Sequence, residues 1–129
     1  MADIQNLVRD TNSCAVFSGD VLVDLDLLPA GTTEVDLTDA LPKNKIILGG
    51  YLVNKAGDLA GGATTIAFTV GSTSLVAATA TTALKGTIKG ALLSAPVIQK
   101  DTDVVKLAIA KGSSGTDVGG KLVAKILYV

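Results

Sequence analysis

Two pairs of carboxylates stand at a spacing that could do chemistry, Asp24-Leu25-Asp26 and Asp101-Thr102-Asp103. A D-x-D pair puts two carboxylates on one face of a strand or turn, and clusters of such oxygens bind Ca²⁺, which takes about 6–8 oxygen ligands. Neither pair sits in a loop with the spaced acids and closing Glu of an EF-hand. Solvated strand faces account for both, so no metal site is expected. The one thiol, Cys14, lies beside Ala15-Val16-Phe17, where a small buried thiol at the start of a strand is the expectation. With a single Cys no internal disulfide can form, and folding in a reducing cytoplasm is the natural inference.

The residue types that are missing narrow the chemistry further. The 129 residues include no His and no Trp, with Glu34 the only Glu and Arg9 the only Arg. Without His there is no general base of ordinary neutral pKa and no Ser-His-Asp or Cys-His nucleophile system. One Cys without His cannot build a zinc site. The sequence has neither a Gly-rich phosphate loop followed by Lys nor a dinucleotide fingerprint. No catalytic residue, metal ligand or cofactor is therefore assigned, and a non-enzymatic role is expected.

The elements that must position these residues are strands. At 13.0 kDa the chain is one domain, 48% hydrophobic, with a mean hydropathy of +0.50, which rules out wholesale disorder. No apolar run reaches the roughly 18 residues of a membrane helix, and the first twenty residues lack the pattern of a signal peptide. Alternation predicts strands over 21–28, 34–37, 45–54, 65–70, 104–110 and 121–129, with a short edge strand at 96–99. Gly49-Gly50 suggests a bulge or a close backbone approach. Both faces of 121–129 are mostly apolar, which predicts a central strand. Residues 74–90 lack a clear period and are read as a loop with short strands at 74–77 and 84–89. Residues 111–120 read as a hairpin-type connection. The prediction is an all-β, two-sheet antiparallel sandwich of jelly-roll type spanning residues 14–129, preceded by an N-terminal arm at 1–13.

In the arm, Ile4, Leu7 and Val8 stand at i, i+3 and i+4, a small apolar stripe if the segment coils. A helix this short is marginal alone, so the stripe needs a partner surface on its own sandwich, a neighbouring subunit or a larger assembly.

Charge is divided along the chain. Residues 1–42 carry eight acidic residues against Arg9 alone, and residues 43–129 carry ten Lys against four Asp. Either strands from the two halves pair, or the domain has one acidic and one basic face suited to head-to-tail packing. The net charge of −1 and the 3% aromatic content give no platform for nucleic acid.

Three stretches carry a resemblance: Leu41-Pro42-Lys43-Asn44-Lys45-Ile46-Ile47, then Gly61-Gly62-Ala63-Thr64 leading to Val70-Gly71, and Gly120-Lys121-Leu122-Val123-Ala124-Lys125-Ile126-Leu127-Tyr128-Val129. In this grammar and in its Ala/Thr/Gly-rich, His-free composition the chain resembles the capsid decoration, or cement, proteins of tailed bacteriophages that have a jelly-roll fold. The resemblance implies a virion structural protein, made in the host cytoplasm, that binds the outside of the capsid and braces capsomer junctions. Its partners would be the major capsid protein and further copies of itself as a trimer or dimer, with no nucleic acid or membrane. Another phage structural part, such as a head or tail fibre piece, and a ligand-binding β-sandwich module are the alternatives.

Overall fold

The computed structural model describes residues 16–41, 43–60, 64–100, 102–109 and 119–129. Eight strands run in the order β1 (Phe17–Asp24), β2 (Glu34–Asp36), β3 (Ile46–Val53), β4 (Thr65–Val70), β5 (Thr73–Ala80), β6 (Ile88–Ile98), β7 (Val105–Ile109) and β8 (Lys121–Tyr128). One short helix, α1 (Thr81–Leu84), joins β5 to the turn before β6. Two antiparallel sheets result, β1-β8-β3-β6 and β2-β7-β4-β5. The predicted arm at 1–13 and Cys14 lie outside the described residues.

This strand order is a ribbon rolled up. β1 pairs with β8, β2 with β7, β3 with β6 and β4 with β5, so the two halves of the chain run side by side as one long antiparallel ladder. Rolling the ladder brings β3 against β8 and β4 against β7, which closes each sheet. The outcome is the jelly-roll sandwich that the alternation pattern predicts.

The inward faces fill the space between the sheets. Val105, Leu107 and Ile109 of β7 alternate into the core, as do Leu122, Ala124 and Ile126 of β8 and Ile66, Phe68 and Val70 of β4. Gly50 is required where β3 packs against Leu75 of β5. A Cβ there would lie 2.7 Å from Leu75 Cδ1 of the opposite sheet. The predicted irregularity at Gly49-Gly50 is present, as a register shift between Ile47 and Gly49.

The structure corrects three strand boundaries. The predicted strand 21–28 begins earlier, at Phe17, and stops at Asp24. The Asp24 carboxylate accepts the backbone N–H of Asp26 at 3.1 Å and caps a 3₁₀ turn over Leu25–Leu27. Leu25 is therefore buried, while Leu27 stands 80% exposed. Residues 74–80 belong to one continuous strand, and the predicted strand at 84–89 is instead the end of α1, a turn and the start of β6. Leu84 is fully buried, and the Thr87 N–H donates to its carbonyl oxygen at 3.0 Å. The short edge strand predicted at 96–99 is only the end of the eleven-residue β6, which has one hydrogen-bonded neighbour and exposes most of its side chains. An edge strand with so little burial shows no alternation to read.

The charge division resolves into strand pairing. Asp20 faces Lys125 in register with an ion pair of 3.5 Å, Asp24 faces Lys121, and Glu34 of β2 pairs with Lys106 of β7 at 3.0 Å. Acidic and basic halves thus interleave on both sheets.

Leu107 and Ile126 are fully buried in facing sheets. Leu107→Asp or Ile126→Asp places an unpaired carboxylate in the core and is expected to cost more than about 4 kcal/mol. Chemical denaturation checks this: a variant within about 1 kcal/mol of the parent would mean that the side chain does not face the core.

Candidate functional site

The two sheets present different outer faces. Across the outside of β2-β7-β4 the registers give the rows Glu34, Ala108, Ala67 and Asp36, Lys106, Thr69, which are small or charged. The outside of β1-β8-β3-β6 is different. Leu22, Val123, Val53 and Ile88 stand in one row across all four strands. Directly opposed side chains on one face of an antiparallel sheet are in contact range, so the row is a continuous apolar stripe.

This stripe is the floor of a trough of about 620 Å³, whose walls include Tyr51, Leu127, Lys55 and Lys121. Leu22 and Ile88 are 61% and 60% exposed. The next row holds the Asp20–Lys125 pair, then Tyr51 and Gly90. Gly90 has φ +138°, and a Cβ on it would run into the Gly50 carbonyl oxygen and lie 2.9 Å from the Tyr51 ring. The absent side chain leaves room for the Tyr51 ring beside the Gly90 backbone.

Three lysines line the trough, Lys55, Lys121 and Lys125, against one carboxylate, Asp20. Lys125 is engaged with Asp20. Among the described residues Lys55 and Lys121 make no salt bridge. The trough is thus apolar at its base, with lysines along its walls.

No protein-family model matches this chain, and no curated protein matches it.

One buried side chain holds the end of the trough in shape. Asn54 directly follows β3 and is 2% exposed. Its Nδ2 donates to Asp58 Oδ1 at 2.8 Å and to the Lys121 carbonyl at 2.7 Å. Its Oδ1 accepts the backbone N–H groups of Gly57 at 3.0 Å and Gly86 at 2.8 Å. A single amide therefore ties together the loop carrying Lys55, the start of β8 and the turn leading to Ile88. All its hydrogen-bonding capacity is used, as burial demands.

The residues singled out in the sequence fall elsewhere. Asp24 caps the 3₁₀ turn, and Asp26 Oδ1 accepts the Gly120 N–H at 3.1 Å, so this pair latches β1 to the start of β8. Asp103 Oδ2 accepts the Lys100 N–H at 2.8 Å, and Asp101 lies outside the described residues. Among the described residues no group of three or more Cys, Asp or Glu could hold a metal ion, and no helix is long and apolar enough to cross a membrane. Ile4, Leu7 and Val8 lie outside the described residues. The trough itself was missed from sequence, although the apolar outer face of β8 at Val123 and Leu127 was its signal.

The Asn54 hub has an acid-sensitive member. Its hydrogen bond is the largest influence on Asp58 and holds that carboxyl below its ordinary 3.8, opposed by partial desolvation and helped by Lys121. Asp36 is also held low, by hydrogen bonds from Thr38. A lowered folded-state pKa adds stability that is complete above the unfolded value and lost as pH falls through the folded one. Stability should therefore decline as pH drops below 3.8, with a smaller decline in Asp58→Asn, read as melting temperature against pH. Asn54→Ala should cost about 2–4 kcal/mol at neutral pH, because it leaves several buried backbone groups unpaired. A loss under about 1 kcal/mol would mean that water replaces the amide.

Proposed function

We propose that this chain is a non-enzymatic virion structural protein that binds the outside of a tailed-phage capsid and stabilises capsomer junctions. The observation that carries the reading is the asymmetry of the sandwich, with one outer face small and charged and the other crossed by a continuous apolar row, Leu22, Val123, Val53 and Ile88. Beyond the trough, Ile46 pairs with Ile98 and exchanges two backbone hydrogen bonds with Val129. Ile98 is 72% exposed. A domain with apolar rows at both ends of one face has a side suited to contact with a large neighbour. The sequence resemblance and the jelly-roll strand order support the same reading. In it the partners are the major capsid protein and further copies of this chain, as a trimer first and a dimer second.

The test begins with virions of the source phage. The protein should co-purify with them, and a cryo-electron microscopy reconstruction should place it on the outer shell at capsomer junctions. Recovery only in the soluble fraction of infected cells would overturn the reading. Because Ile46 and Ile98 are exposed, Ile46→Asp with Ile98→Asp should leave the fold intact. The same variant should weaken binding to particles stripped of the protein by at least about tenfold, which corresponds to about 1.4 kcal/mol. Sedimentation of the protein released from particles should give a trimer or a dimer.

A further inference from the structure

The apolar row across the first sheet is not level. Leu22 on β1 and Ile88 on β6 stand up as rims, 61% and 60% exposed, while Val53 at 8% lies low between them beside Val123. We propose that this face binds a second copy of this chain about a two-fold axis along the β1–β8 seam, so that Leu22 of each copy enters the other's trough above Val123. Such a contact gives the self-association of the virion reading, on which the choice of partner rests, a definite surface.

The registers make the seam self-complementary. Outward on β1 stand Asp20, Leu22 and Asp24, and directly opposite them on β8 stand Lys125, Val123 and Lys121. A two-fold axis parallel to these strands and midway between them lays β1 of one copy on β8 of the other at the same level. Asp20 then meets Lys125, Leu22 meets Val123 and Asp24 meets Lys121, each contact made twice. Facing sheets cross at about 30°. The charged rows lie two residues, about 6.8 Å, from the Leu22 row, so the crossing displaces them by about 3.5 Å, which Asp and Lys side chains can span.

The charges at the trough fit this occupant. Asp24 lies opposite Lys121 and Asp58 lies beside it, so Lys55, Lys121 and Lys125 stand against Asp20, Asp24 and Asp58. The face therefore has no excess of positive charge to offer a polyanion. Asp58 is held by Asn54, and Asp26 accepts the Gly120 N–H, so both stay engaged within their own chain. Asp20 pairs with Lys125 at 3.5 Å, whereas among the described residues Asp24 and Lys121 make no salt bridge although they face each other. A second copy brings an opposite charge to each of these rows while it covers Leu22. Two eight-residue strands from each copy make a small interface, below about 1,200 Å² in total, so the dimer is weak and concentration dependent. β3 and β6, with Ile46 and Ile98, lie to the side of the seam and stay free.

Sedimentation equilibrium of the free protein tests this away from any particle, and dimers should appear as its concentration rises to about 1 mM. Because Leu22 is exposed, Leu22→Asp should leave the melting temperature unchanged and weaken the dimer at least about tenfold. Ile46→Asp with Ile98→Asp should leave the dimer as it is. In a Cys14→Ser background, a Leu22→Cys chain mixed with a Val123→Cys chain should form the mixed disulfide dimer severalfold faster than either forms a dimer with itself, because the axis sets position 22 against position 123. A monomer throughout, a dimer that Leu22→Asp leaves intact, or self-linked dimers forming as fast as mixed ones would each overturn the proposal. Protein found on virions but monomeric when free would overturn this contact alone, and a seam dimer from a protein absent from virions would uphold the contact while overturning the virion reading.

Discussion

The insertion of β8 between β1 and β3 is the constraint on which the first sheet depends. Its inward side chains Leu122, Ala124 and Ile126 are fully buried, and both its edges are hydrogen-bonded. Without β8, β1 has no partner and β3 keeps only β6. The pairing is also the most distant in sequence, since Phe17 meets Tyr128. Closing such a loop costs entropy that grows with the logarithm of its length, and it must be met before the sheet can bury its face. A fold made of pairings like this has high contact order and belongs to the slow-folding class. What offsets the cost is area. Each large apolar side chain fully buried contributes about 1.5–3 kcal/mol, and β8 brings Leu122 and Ile126 to the same core as Phe68 and Leu107.

Because side chains alternate along a strand, a one-residue slip of β1 against β8 would turn Asp20 and Asp24 into the core and Val21 and Val23 out of it. The charge division along the sequence guards against that error. Exposed ion pairs such as Asp20–Lys125 contribute only about 0–1 kcal/mol, so they do not drive folding. Their value lies in selection. Acidic β1 and β2 are disfavoured from lying beside each other and find lysine-bearing β8 and β7 as complementary neighbours.

Legibility in the sequence followed burial. β3, β4, β7 and β8 were legible as strands because one face of each meets the core. β6 is an edge strand with only Leu93 and Val97 packed against the core, so its length was hidden. The turn at Leu25–Leu27 looked like more strand because Leu25 and Leu27 continue the parity of Val21 and Val23. Its formation rests on the Asp24 cap and on a backbone hydrogen bond from Leu25 to Gly120, nearly a hundred residues away. The trough was illegible for a related reason. Its floor is assembled from one residue on each of four strands, and only the registers bring them into a row. In β8 the apolar outer residues did announce themselves, but an apolar strand on both faces signals a central position as readily as an outer surface in need of cover.

Three of the four sheet edges, β2, β6 and β1, are guarded against strand addition. β2 is only three residues long, and the outer strand β6 is interrupted where Leu93 to Pro96 lie opposite the single Leu48. Pro96 has no N–H to offer an added strand, and Lys89 sits on the same edge strand, so growth of the sheet by edge pairing is blocked. On the other side β1 carries Asp20 and Asp24 in its outward positions. Leu22, Ile88 and Leu92 expose apolar area on the outer face of the first sheet. There, contact depends on shape and side-chain chemistry, which are specific, instead of on backbone hydrogen bonds that any strand can supply. At the β1, β2 and β6 edges the sandwich therefore carries its apolar surface without offering an open template for fibrillar stacking.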